Sequence, residues 1–187
     1  MPENNDWSMG RVMSVVRDII GSPDSFTKTV RTGWKRRGWE EPTYDHIQNL
    51  RSYMGQMRDL ESTNTNLQPF GDTDKSGYYS ITKNSTKTAA NRAYNLGTID
   101  KDTRDKWGKE LAYKRSDDEQ GIMALAHMLG ASRVSGDDVG SSLMLKQIAE
   151  GAGQTGVRAN LWSKYHKRDP IDEADRNNIR NNVPAWR

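Results

Sequence analysis

Apolar positions recur three and four residues apart along most of this chain, and one short stretch departs from that period. In Tyr44–Glu61 the residues Ile47, Leu50, Met54 and Met57 follow that spacing, which places them on one face of a helix. Glu61 falls on the same face, at the end of the apolar stripe. Thr43 stands where an N-cap belongs, after Glu40-Glu41-Pro42. Its hydroxyl can accept a backbone amide that the first helical turn leaves unpaired. Residues 7–20 carry a second amphipathic pattern (Val12, Val15, Val16, Ile19, Ile20), broken at Gly21-Ser22-Pro23-Asp24. A shorter helix is predicted within 24–36.

Residues 62–76 are polar and turn-rich, and predict a loop. Gly77-Tyr78-Tyr79-Ser80-Ile81 is the exception to the helical period: it is β-prone and predicts a short strand whose two tyrosines point to opposite faces. Helical pattern resumes from about Ser85 to Leu96, with Gly97 as the C′ residue. Asp100 caps the next helix, which carries Trp107 and Leu111. Ser116-Asp117-Asp118-Glu119 is a capping box, and it opens a helix containing Ile122, Leu125, Ala126 and Leu129 that Gly130 ends. After Ser135–Asp138 comes a helix to about Glu150, then a glycine-rich break from Gly151 to Gly156. Asp169 and Pro170 read as N-cap and first residue of a last helix, stopped before Pro184.

These elements predict a mainly α fold with one small β element. The central domain spans 42–156. Residues 1–41 form an N-terminal helical extension. Residues 157–187 form a C-terminal extension whose Trp162, Tyr165 and Trp186 predict docking on a neighbour.

At 187 residues the chain is long enough for one well-packed domain. Hydrophobic residues make up 33 %, and a mean hydropathy of −0.96 predicts a modest core. No apolar run is long enough to cross a membrane. The acidic start Met1-Pro2-Glu3-Asn4-Asn5-Asp6 lacks the basic-then-apolar order of a secretion signal. With no cysteine there is no disulfide framework and no thiolate nucleophile or ligand. His46, His127 and His166 have no zinc spacing, so neither metal nor cofactor is expected. A net charge of +3 suits an anionic polymer. The cluster Lys35-Arg36-Arg37 between Trp34 and Trp39 has the composition of a nucleic-acid patch, but so small a net charge argues against one.

Glu61 is the candidate reactive group. A carboxyl ending an apolar stripe is poorly hydrated, which favours its neutral form. A carboxylic acid kept protonated near neutral pH can donate to a leaving group. His127, alone within an apolar helix, is expected to line a site rather than perform its chemistry.

Three segments in order, Leu60-Glu61-Ser62, Gly77-Tyr78-Tyr79-Ser80-Ile81 and Ala126-His127-Met128-Leu129-Gly130, resemble the three signatures of lytic transglycosylases of the lysozyme superfamily. The resemblance covers about residues 43–150. In that family the first signature is a Glu-Ser pair closing a helix, the second a Gly-x-x-Gln-Ile run and the third an Ala-Tyr-Asn-x-Gly run. Here Ser80 takes the place of the glutamine and His127 that of the tyrosine. The third segment is also similar to the version in peptidoglycan-cleaving proteins carried by bacteriophage particles.

The resemblance implies an α+β lysozyme-like fold and Glu61 as the single acid and base. It also implies a sugar cleft lined by Ser62, Gly77, Tyr78, Ser80 and His127. The substrate would be the peptidoglycan glycan strand, and the location a phage tail or virion interior, with other virion proteins as partners for the terminal extensions. A hydrolase would use a second carboxylate, for which Asp72 and Asp74 are available. The alternative expectation is a virion hub or connector protein on the same scaffold with little or no activity.

Overall fold

The computed structural model of the chain describes residues 34–35, 38–39, 43–71, 73–95, 97–134, 139–151, 153–167 and 169–182. The helix expected over 7–20, most of that expected over 24–36, Arg36, Arg37, Asp72 and Trp186 lie outside them. The described chain is mainly helical, as the periodicity predicts. Its helices are α1 (Tyr44–Ser62), α2 (Lys83–Asn95), α3 (Lys101–Lys109), α4 (Asp117–Val134), α5 (Val139–Glu150), α6 (Thr155–Lys167) and α7 (Glu173–Asn182), with a 3-10 turn at Ala112–Lys114. They fall into two compact units: residues 58–127 in one, and the described parts of 19–57 and 128–187 in the other. The boundaries lie inside α1 and α4.

In the first unit α2 packs on α3. Ala89, Ala90 and Ala93 form the buried face of α2, and Trp107 of α3 is fully buried. Small residues on a buried helix face allow close approach of a neighbouring helix, and large buried rings fill a core without voids. Thr82 caps α2: its Oγ1 accepts the Ser85 amide at 3.1 Å, so the helix starts ahead of the expected Ser85. At the other end the Thr98 amide donates to the Ala93 carbonyl and the Gly97 amide to that of Tyr94, both at 2.9 Å. This is a Schellman closure, and Gly97 supplies the positive φ (75°) it needs. Asp100 caps α3 as expected, accepting the Thr103 amide at 2.7 Å; that bond holds its carboxyl below the usual range. Leu111 lies beyond α3, in extended backbone. Ser116 accepts the Glu119 amide at 3.2 Å and opens α4, and the Glu119 carboxylate also receives the Trp107 indole N–H.

The expectations for the 77–81 segment and for the end of α4 are corrected as well. Gly77–Ile81 is a reversal, not a strand. Ser76 and Ile81 exchange both backbone hydrogen bonds, at 3.1 and 3.0 Å, and Ser80 donates back to the Gly77 carbonyl. Among the described residues the β structure is limited to the isolated pairs Leu67–Gly77 and Ser76–Ile81. Positive φ at Gly77 (80°) and Ser80 (48°) turns the chain before a ladder can extend. Nor does Gly130 end α4, which continues to Val134. An interior glycine costs a helix about 1 kcal/mol, which an otherwise continuous helix tolerates.

The second unit is built on the apolar stripe of α1. Ile47, Leu50, Met54 and Met57 are each 1–2 % exposed, worth roughly 1.5–3 kcal/mol apiece when buried. Thr43 is the N-cap. Its Oγ1 accepts the His46 amide at 3.3 Å, and His46 Nδ1 accepts the Thr43 amide at 3.2 Å. Helices α5, α6 and α7 pack on one another. Leu143, Leu145, Leu161 and Trp162 are buried here, so Trp162 belongs to the core of its own unit. Helix α6 begins at Thr155, inside the expected glycine-rich break. The last helix is capped by Asp172, not Asp169. Asp172 Oδ1 accepts the Asp175 amide at 2.7 Å, and Asp175 Oδ2 accepts the Asp172 amide at 3.2 Å. This reciprocal box satisfies two amides at once, which a lone Asp-Pro start cannot match.

Candidate active site

The site lies where α1 ends within the first unit. Ser62 is buried. Its hydroxyl lies 2.6 Å from the Tyr78 carbonyl and 3.0 Å from that of Arg58, and it accepts the Thr65 amide at 3.2 Å. Glu61 is half-buried, and its backbone carbonyl accepts the Ser80 hydroxyl at 2.6 Å. A helix leaves its last carbonyls without intrahelical partners. Here the 76–81 turn supplies one, so the final turn of α1 and the hairpin hold each other.

Tyr78 is pinned on three sides. Its carbonyl takes Ser62, its amide donates to Gln120 Oε1 at 2.8 Å, and the Arg58 guanidinium lies over its ring at 3.9 Å from the centroid. Arg58 is itself buried. It pairs with Asp117 at 2.5 Å and donates from Nε to Asn64 Oδ1 at 3.0 Å. Such a guanidinium combines charge-assisted hydrogen bonds with stacking.

Backbone strain gathers at the same place. The non-glycine residues with positive φ among the described residues are Thr63 (53°), Asn64 (56°) and Ser80 (48°). Two follow Ser62 directly, and the third bonds Glu61. For a β-branched residue such as Thr63 this conformation is a genuine outlier, and each such residue costs on the order of 1–3 kcal/mol.

Five of the six expected site residues, Glu61, Ser62, Gly77, Tyr78 and Ser80, thus lie in one hydrogen-bonded arrangement. His127 is half-buried on α4, seven residues beyond Gln120. That is about 10.5 Å along the helix axis and on nearly the same face. Asp74 is exposed and accepts the Lys83 amide at 3.1 Å, a helix-start role. Sequence reasoning missed Arg58, Asn66 and Gln120. The available signal was a lone glutamine in an apolar helical run, one face-repeat before His127.

Of the Lys35-Arg36-Arg37 cluster, Lys35 is exposed. Trp34 is buried against Trp39 and His46, at ring separations of 4.7 and 5.2 Å. The described helices include none long and apolar enough to cross a membrane, and the described residues include no group of three or more His, Asp or Glu placed to hold a metal ion.

Comparison with protein-family models, characterised proteins and solved structures yields no match to this chain.

Proposed function

We propose that this protein is a peptidoglycan lytic transglycosylase with Glu61 as its acid and base, of the kind phage particles carry to open the cell wall. The observation that carries the reading is the strained, cross-bonded end of α1. Thr63, Asn64 and Ser80 hold unfavourable backbone conformations beside the half-buried Glu61 or bonded to its backbone carbonyl. Strain of this sort persists where surrounding bonds over-determine it, and it gathers at functional sites.

In this mechanism the Glu61 carboxyl donates a proton to the oxygen linking N-acetylmuramic acid to N-acetylglucosamine. The bond from muramic C1 to that oxygen breaks, and the N-acetylglucosamine end leaves as an alcohol. The muramic C6 hydroxyl then attacks C1 and gives its proton to the Glu61 carboxylate. The proton count returns to its start and no water is consumed. One carboxyl serves both steps, so the helix-start role of Asp74 presents no conflict. Ser62 and Ser80 hold the Glu61 turn, Tyr78 and Gly77 form the adjoining wall, and His127 lines the sugar path. Other virion proteins would be its partners in the particle.

The test is digestion of purified peptidoglycan by the wild-type chain and by Glu61→Gln, with products read by mass spectrometry. The wild type yields 1,6-anhydromuramic ends, and the variant, folded by circular dichroism, yields none. Equal cleavage by both proteins rejects Glu61 as the acid. Reducing muramic ends would make the enzyme a hydrolase.

One observation favours the second reading, a virion hub or connector with little activity. The hydroxyls of Ser62 and Ser80 are both committed to internal backbone acceptors, as suits a scaffold. A folded wild-type chain that releases no glycan fragments would decide for it.

A further inference from the structure

We infer that Gln120 is the positioning residue of this site: it sets the place of the Glu61 turn through the 76–81 hairpin without touching substrate. The catalytic half of this inference rests on Glu61 being the acid.

Gln120 is fully buried, and its side-chain amide is used on both sides. Oε1 accepts the Tyr78 amide at 2.8 Å. Nε2 donates to Asn66 Oδ1 at 3.1 Å and to the Arg115 carbonyl at 3.0 Å. One group thereby joins the loop after α1, the hairpin and the turn before α4. The Tyr78 residue it holds is bonded through its carbonyl to Ser62. Two residues on, Ser80 is bonded to the Glu61 carbonyl. A shift at the Tyr78 amide is therefore passed to both residues that end α1.

The hairpin is shaped around this amide. A Cβ on Gly77 would lie 2.2 Å from Gln120 Oε1, so the approach needs a glycine there. The side chain is equally constrained. Asparagine is one methylene short, glutamate lacks the two donors, and methionine lacks the donors and keeps only a weak sulfur acceptor. Removing the amide would leave a buried N–H without its partner, a state proteins avoid.

The experiment uses the full chain carrying Gln120→Met or Gln120→Glu. It reads hydrogen exchange at the Tyr78 amide, together with kcat and KM on a soluble uncrosslinked glycan strand across pH. All assays are run below the melting transition of each protein. Gln120→Met should speed exchange of the Tyr78 amide about tenfold or more. It should lower kcat about 100-fold, the scale set by an ångström of misplacement, with KM little changed. Gln120→Glu keeps an acceptor for Tyr78 but turns a carboxylate toward two oxygens. Its kcat relative to wild type at the same pH should recover on acidification, as the neutral acid regains a donor. A purely structural role would give neither the KM-independent loss nor that recovery.

Wild-type kcat in Gln120→Met, or unchanged Tyr78 exchange, overturns the inference. If the methionine variant does not fold, a pH-independent ratio for Gln120→Glu overturns it alone. If the wild type cleaves no glycan, the proposed activity has failed and the catalytic half of the inference with it; Tyr78 exchange still decides whether Gln120 holds the hairpin.

Discussion

Each unit buries a polar side chain in a dense set of hydrogen bonds, Gln120 in the first and Arg158 in the second, and their surroundings differ. Arg158 donates to Asn182 Oδ1 at 2.9 Å, Gln147 Oε1 at 2.7 Å, the Gly151 carbonyl at 3.0 Å and Glu150 Oε2 at 3.1 Å. Gln147 in turn donates to the Asn49 carbonyl and to Thr155. These partners sit on helices or at their ends, and every positive φ described in this unit belongs to a glycine: Gly38, Gly151 and Gly153. In the first unit the network fixes irregular chain, and the strain falls on Thr63, Asn64 and Ser80. Buried polarity with unstrained backbone serves cohesion. Buried polarity around strained backbone serves placement, at some loss of stability.

The contrast is broken most directly by removing the buried arginine of each unit, Arg158 and Arg58. Arg158→Met should destabilise the protein by about 3–5 kcal/mol, because it leaves several buried acceptors unpaired. Arg58→Met should cost about 2 kcal/mol, since its partners Asp117 and Asn64 are nearer solvent and can rehydrate. Urea denaturation of both variants gives the order, and a larger loss for Arg58 would reverse the assignment of cohesion to the second unit. Thr63→Gly sharpens the comparison from the other side. Glycine adopts a φ of 53° without steric penalty, so stability should rise by about 1 kcal/mol while turnover falls. A stabilised variant with unchanged turnover would separate the strain from function.

The smallest effect concerns His46. Burial beside Trp34 and Trp39 holds its pKa below the usual histidine value, against the raising effect of Asp45. Its Nδ1 accepts the Thr43 amide, so protonation removes an acceptor. The unfolded chain binds the proton first on acidification. The stabilisation is therefore complete above about pH 6.5 and is lost as pH falls through the lowered folded value. The urea midpoint should fall between neutral and mildly acidic pH by more in wild type than in His46→Gln, which does not titrate. Equal shifts would remove His46 from the account.

What could be read from the sequence followed from how local each signal is. The stripe Ile47–Met57, the Thr43 cap, the Gly97 closure and the Asp100 and Ser116 starts are decided within one or two turns, and they appear in the structure. The last helix was misplaced because Asp169-Pro170 is a good start in isolation, whereas Asp172 and Asp175 form a reciprocal one. The 77–81 segment was misread because β-prone composition says nothing of chain reversal, which depends here on positive φ at Gly77 and Ser80. Glu61, Ser62, Gly77, Tyr78 and Ser80 were legible as a set. Gln120 was not, since its three partners lie at 66, 78 and 115, and no local period links them.

Gly77 also bears on how this protein can vary over generations. It is barred from substitution twice over, by its backbone angle of 80° and by the glutamine oxygen that any added carbon would strike. A change at 120 alone orphans the Tyr78 amide or removes the donors to Asn66 and Arg115; a change at 77 alone collides. Neither single step is an easy path, so descendants of this chain should keep the two letters together even where the surrounding loop has drifted beyond recognition. Glycine and glutamine separated by some forty residues, just past a helix-ending Glu-Ser, would then be the pattern by which distant kin are traced.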